Sequence, residues 1–176
     1  MSRPRTPKTI TALARVAAAP LLALLLASCA QLRSAFEQPA FVISLNRVVQ
    51  PGAFAPDTLL IYQVSDSANA PQASVSKFPI VDSSCFGDVQ LVEGRDGKWG
   101  LRLKMDKRGL HLWRTATAQY HGLRLAIVVD GFFAGLMDFP AYDESGYVML
   151  PPLWPEDEAR RIAEHVVSNY RHFNSR

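Results

Sequence analysis

Two Asp-Gly pairs, Asp96-Gly97 and Asp130-Gly131, each join two runs of strand-forming residues, and they restrict this chain more than any other feature. Asp-Gly supplies the positive φ angles that a two-residue type I′ hairpin demands, so each pair predicts two antiparallel neighbours. The first follows DVQLVE at 88–93 and precedes Lys98–Met105, in which Trp99, Leu101, Leu103 and Met105 alternate with Gly100, Arg102 and Lys104. A period of two marks a half-buried strand. The second follows Leu123–Val129, whose continuous apolar end suits a central strand covered on both faces, and precedes Phe132–Phe139. The segments FVISLNRVV (41–49), TLLIYQV (58–64) and Tyr147–Leu150, the last closed by Pro151-Pro152, also read as strands. Ser65–Ser76 is polar and is expected to be a loop.

Two segments break the strand pattern with a helical one. Asp106 stands where its carboxylate can accept the free N–H groups of a helix start. Lys107–Tyr120 follows, with Leu110, Trp113 and Thr117 on one stripe, and with Gly109 ill-suited to a helix interior. In Glu156–Tyr170 the residues Ala159, Ile162, Ala163, Val166 and Tyr170 recur at helical spacing, and Glu156, Asp157 and Glu158 suit the positive end of the helix dipole. The expected fold class is α+β: a mostly antiparallel sheet built from hairpins, with two helices packed on one face.

The start of the chain carries an address. Arg3, Arg5, Lys8 and Arg15 lie before an apolar run, Val16–Leu26, with no acid among them. A membrane-spanning helix needs about 20 apolar residues, and this run is shorter. A basic start, a short apolar core and small residues make an export signal. Its end, Leu26-Ala27-Ser28-Cys29, resembles the lipobox of bacterial lipoproteins, and that resemblance implies a lipid on Cys29 after cleavage before it. The alternatives are a plain secretory signal or a retained apolar anchor. The expected division is a signal peptide at 1–28, a lipid-anchored tether at 29–40 and one α+β domain at 41–176. Two or more acyl chains hold a protein stably on a membrane. Ala30, where an Asp would favour inner-membrane retention, makes the outer membrane the expected destination.

The address also explains the charge. Lys and Arg number 19 against 16 Asp and Glu, and the four early cations leave 15 against 16. A nucleic-acid binder needs a clustered positive surface, so no nucleic-acid partner is expected. At 176 residues the chain suits one domain. With Cys29 taken by lipid, Cys85 has no intrachain partner, and it is either a small buried residue or a reactive thiol.

Catalytic signatures are missing: GxSxG, a phosphate loop, HExxH and the dinucleotide fingerprint do not occur. Asp130 beside His121 could be an acid–base pair, or Asp130 could be a turn residue. His165 and His172 lie seven apart on one helix, about 10 Å, too far to share a metal without other ligands. His111 reads as a surface or half-buried imidazole, and the pair Asp143-Glu144 and the cluster Glu156–Glu158 are either a cation site or the ordinary acids of a loop and a helix start. No metal or cofactor is expected.

The stretch Trp99–Arg171 resembles the head of the first periplasmic domain of the SecD/SecF protein-export family. The residues that carry the likeness are Gly109, then Thr117 and Gly122, then Leu125-Ala-Ile-Val-Val-Asp-Gly131, and Asp157-Glu158-Ala159 at the start of the last helix. The chain departs from the family at Ala134-Gly135-Leu136, where a Pro is usual. It departs again at Pro151–Pro155, where a Gly and a Thr or Ser cap are usual. The family's membrane helices have no counterpart here, so the expectation is a module that does not pump. The resemblance implies a protein-binding module.

The densest apolar stretch is Phe132–Phe139. Simple alternation puts Phe133, Gly135, Met137 and Phe139 on one side, and Phe132, Ala134, Leu136 and Asp138 on the other. An unpaired buried carboxylate is costly, so the side with Asp138 should meet water. Phe132 and Leu136 are therefore the candidate binding face. The expected function is a non-catalytic protein- or peptide-binding module on the cell envelope, facing the periplasm and linked to export or envelope maintenance. The alternatives are an enzyme whose site forms only in the fold, and a purely structural lipoprotein.

Overall fold

The computed structural model describes residues 38–49, 58–62 and 72–175. The signal peptide, Cys29 and most of the tether lie outside the described residues, as do 50–57 and 63–71. A compact unit runs from Pro39 to Arg176. Its elements are β1 (Ile43–Arg47), β2 (Thr58–Tyr62), β3 (Gln72–Ser76), β4 (Val81–Asp82), a 3-10 turn (Ser83–Cys85), β5 (Phe86–Glu93), β6 (Trp99–Met105), α1 (Lys107–Tyr120), β7 (Arg124–Val129), β8 (Phe132–Asp138), β9 (Tyr147–Trp154) and α2 (Glu156–Asn174).

The strands form an antiparallel sheet β4-β1-β7-β8, another of order β5-β6-β9, and the β2-β3 hairpin. The class is α+β. One core joins the two larger sheets to the helices: Ile43, Leu45, Leu125 and Ile127 from one sheet, Leu101, Leu103, Val148 and Leu150 from the other, Trp113 and Ala116 from α1, and Ile162 and Val166 from α2. A smaller cluster lies on the outer face of the first sheet, where Val75 of β3 packs with Ala126, Val128 and Phe133, and Leu136 adjoins it.

Three sequence expectations change. The segment expected as a loop contains β3, which pairs with β2 and forms a bridge from Val75 to Val48. β9 does not stop at Pro151 but runs to Trp154, because an edge strand needs no donor on its free side. In β8 a bulge intervenes: Ile127 faces Gly135 while Val128 faces Phe133. The extra residue breaks the alternation. Phe133 and Leu136 therefore join the outer cluster, and Ala134 and Met137 join the main core.

Asp106 caps α1 as expected, accepting from Gly109 N at 2.7 Å. Asp130 and Gly131 have φ of 51° and 84°, the left-handed pair of a type I′ turn. The Asp130 carboxylate does more than turn the chain. It accepts the N–H of Phe41 at 2.9 Å and of Val42 at 2.7 Å, while Asp130 N donates to Val42 O. It thus fixes the point where the chain joins the domain. Gly131→Val should lower stability by about 2–3 kcal/mol, because a β-branched residue clashes at that φ. Asp130→Asn keeps the turn but loses one of two acceptor oxygens, and should cost about 1 kcal/mol. Urea unfolding of both variants checks the order, and an Asn variant weaker than the Val variant would reverse it.

Candidate functional site

The two larger sheets each end in an edge strand, β8 and β9, and these strands approach one another. They touch at Gly135, where a Cβ would stand 2.7 Å from Leu153 Cδ1. Among the described residues no backbone hydrogen bond joins β8 to β9. Away from Gly135 they part around a groove of about 280 Å³. Met137 and Asp138 line one wall, Tyr147, Val148 and Met149 the other, and Trp113 forms the floor.

Local chemistry builds the groove. Pro140, which lacks an N–H, follows the end of β8, and the chain then loops to Gly146, whose φ of 81° favours glycine. Asp143 holds the loop: Oδ1 accepts Ser145 N at 2.8 Å, and Oδ2 accepts the Trp113 indole N–H at 3.2 Å. The Asp143 N–H donates to Thr117 Oγ1, which ties the loop to α1. Trp113 is 1% exposed and stacks on Phe139, with centroids 6.0 Å apart. At the rim the Arg102 guanidinium lies 4.0 Å over the Tyr147 ring, a cation–π contact. Met149 is 49% exposed, a large apolar side chain at the mouth.

Burial pushes the Asp143 carboxyl up, but hydrogen bonds from Ser145 and Trp113 outweigh it and hold the group below its ordinary 3.8. A depressed carboxyl adds stability above its unfolded pKa and loses it as pH falls through the lower folded value. Asp143→Asn should therefore flatten the loss of stability below about pH 4. The thermal midpoint across pH 2–7 reads this directly, and equal acid limbs would refute it.

The other sequence candidates scatter. Phe132 is 51% exposed, at the hairpin end and opposite Val129 on the inner face of its sheet. Leu136 is half-buried on the outer face, beside Val75 and Phe133. The two do not share a face. Cys85 is buried, and that burial, with help from the Asp82 and Asp106 carboxylates, pushes its thiol up despite hydrogen bonds that oppose the shift. It is no thiolate at neutral pH. His165 lies against Phe41, and both oxygens of Asp130 are engaged by Phe41 and Val42. Among the described residues no three His, Cys, Asp or Glu converge as a metal site would require. Sequence reasoning missed Trp113, Asp143, Arg102 and Met149 as a group, since they come from four separate segments.

The groove lies in an architecture met before. The chain superposes on a membrane component SecDF that enhances protein export, with TM-score 0.54 and 18% identity over 74% of this chain. The chain shares its fold with a part of SecDF. It also superposes on SecDF in a super-membrane-facing form, with TM-score 0.54 and 19% identity over 76% of this chain. It spans 63% of the first SecDF chain and 19% of the second. No family model matches the chain, and no curated protein does. The likeness reaches well beyond Trp99–Arg171 to about three quarters of the protein. Among the described residues no helix is long and apolar enough to cross a membrane.

Proposed function

We propose that this is a lipid-anchored envelope protein that holds polypeptide without altering it covalently, in support of protein export or envelope maintenance. The observation that carries the reading is the groove between β8 and β9, apolar at its floor and open at its mouth, in a fold shared with an export component. Its polar groups favour holding over chemistry, because Asp143 is engaged by Trp113 and Ser145, and Arg102 by Tyr147. Phe132 serves as an outlying apolar contact at the hairpin end, and Leu136 is reached only beside the β2-β3 hairpin.

The test uses the full-length protein in non-ionic detergent and a fluorescent, reduced and carboxymethylated lactalbumin, which cannot refold. Saturable binding of that chain, and none of its native form, is expected; no binding of the unfolded chain would overturn the reading. The anchor rests on the basic start, the apolar run and Cys29. Cys29→Ser should leave uncleaved precursor or soluble periplasmic protein that takes up no labelled palmitate, and a variant that still incorporates the label would remove the lipid on Cys29 from the proposal.

A further inference from the structure

We propose that the end of the domain where the chain enters rests on the lipid bilayer, with Phe132 and Phe173 seated at its headgroup boundary. The inference rests on the lipid at Cys29 and adds which way the anchored domain faces. The entry point is held from several sides. Asn169, buried on α2, donates to the Ala40 carbonyl at 2.8 Å. The Asp130 carboxylate takes the N–H groups of Phe41 and Val42, and the Phe41 ring lies against His165 with centroids 5.1 Å apart. Phe41 has a φ of 54°, which a bulky residue keeps only where its surroundings fix it. The chain therefore joins the domain at one fixed place.

Neighbouring contacts put both aromatic side chains at this same end. Ile43 pairs with Val129, and Val129 with Phe132. Phe132 thus stands about 10 Å from Ile43, across two strand spacings. On the other side of β1, Ile43 N donates to Ser83 Oγ at 2.8 Å, and Asn174 of α2 donates to the Ser84 carbonyl at 2.9 Å. Phe173 directly precedes Asn174 and lies one helical turn beyond Asn169. The end of the first sheet therefore carries Phe132 on one side of the entry point and Phe173 on the other. They are 51% and 40% exposed, large apolar side chains without a partner to explain them.

Reach picks the occupant. Ten residues separate Cys29 from Ala40. Fully extended, they span at most about 40 Å. A compact domain of this size has a radius of gyration of about 14 Å. The end that bears the tether is the one that meets the bilayer with the least extension of the chain. Its contact with the surface is then intramolecular, so a side chain of weak affinity adds usefully to the lipid. Exposed Phe on a polar surface is the kind of side chain that enters the headgroup boundary. The arrangement also frees the groove. Met137 lies five residues along β8 from Phe132, about 17 Å from the membrane contact, where polypeptide has access.

The test uses the full-length protein in vesicles of phosphatidylethanolamine and phosphatidylglycerol. One cysteine is introduced at a time, by Phe132→Cys, Phe173→Cys or Leu123→Cys, and labelled with a nitrobenzoxadiazole dye. Cys85 is buried and stays unlabelled. Leu123 is exposed and its carbonyl accepts Phe139 N at the far end of β7 and β8, so it is the control that should remain in water. All three replaced side chains are exposed, and the circular dichroism spectra should match the wild type. Spin-labelled lipid should quench the dye at 132 and at 173 at least about twofold more than at 123. Flotation with the vesicles reads the anchor separately. In protein that floats, equal quenching at the three positions, or none at 132 or at 173, means that the domain does not rest on this end while the lipid stands. A dye at 132 that is shielded in native envelopes and exposed in vesicles means that a protein covers this end, and overturns the membrane contact. Protein that does not float removes the anchor and this inference with it.

Discussion

Replacing Trp113 with Ala should lower stability by about 3–5 kcal/mol, the cost of deleting a large aromatic side chain from a packed core. Trp113 is 1% exposed, touches the interior from α1 and stacks on Phe139. The change also removes the indole N–H from Asp143 Oδ2 and leaves the loop at 140–146 without one of its ties. Trp113→Phe keeps a six-membered ring but loses that bond and part of the packed volume, so it should cost about 1–3 kcal/mol. Urea unfolding separates the two, with a lower midpoint and an unchanged slope expected for both variants. If the Ala and Phe variants were equally weak, the hydrogen bond and not the packing would hold this part of the core. Because Trp113 floors the groove, the Phe variant is also the one in which a change of shape can be told from a loss of fold.

Local signals were legible where one physical demand had one chemical answer. The Asp-Gly turn at 130–131 needed two left-handed residues, and Asp106 stood at a helix start with nothing else to cap it. Where an element depends on distant partners, the sequence is silent. β3 reads QASVS and carries one large apolar residue, Val75, which is buried only because β1 and the outer face of β7 and β8 lie beside it. The bulge in β8 is a mismatch of registers between two strands, and alternation along β8 alone assigns Phe133 to the wrong face. The groove is less legible still. Its floor comes from α1, its walls from β8 and β9, and its carboxylate from a loop that reads as an ordinary acidic turn. Asp130 falls between these cases: its place in the turn is local, but its grip on Phe41 and Val42 spans nearly ninety residues.

Gly109→Ala should be destabilising by about 1–3 kcal/mol, against the usual sign for a helix interior. In an exposed helix the same change gains about 1 kcal/mol, because Ala restricts the unfolded chain and propagates the helix better. Here the new Cβ would stand 2.7 Å from Cys85 Cβ and 3.3 Å from the Cys85 carbonyl oxygen. Neither neighbour can move freely. Asp106 N donates to that same carbonyl at 2.9 Å, and Gly109 N is bound to the Asp106 carboxylate. The first turn of α1 is thus seated directly on the chain at Cys85, and the glycine is what lets it sit so close. The double variant Cys85→Gly with Gly109→Ala moves the Cβ from one side of the contact to the other. It should be less destabilised than the sum of the two single changes, with a coupling of about 0.5–3 kcal/mol. Simple additivity would place the strain elsewhere, and a stabilised G109A would show that the two segments do not meet at this distance.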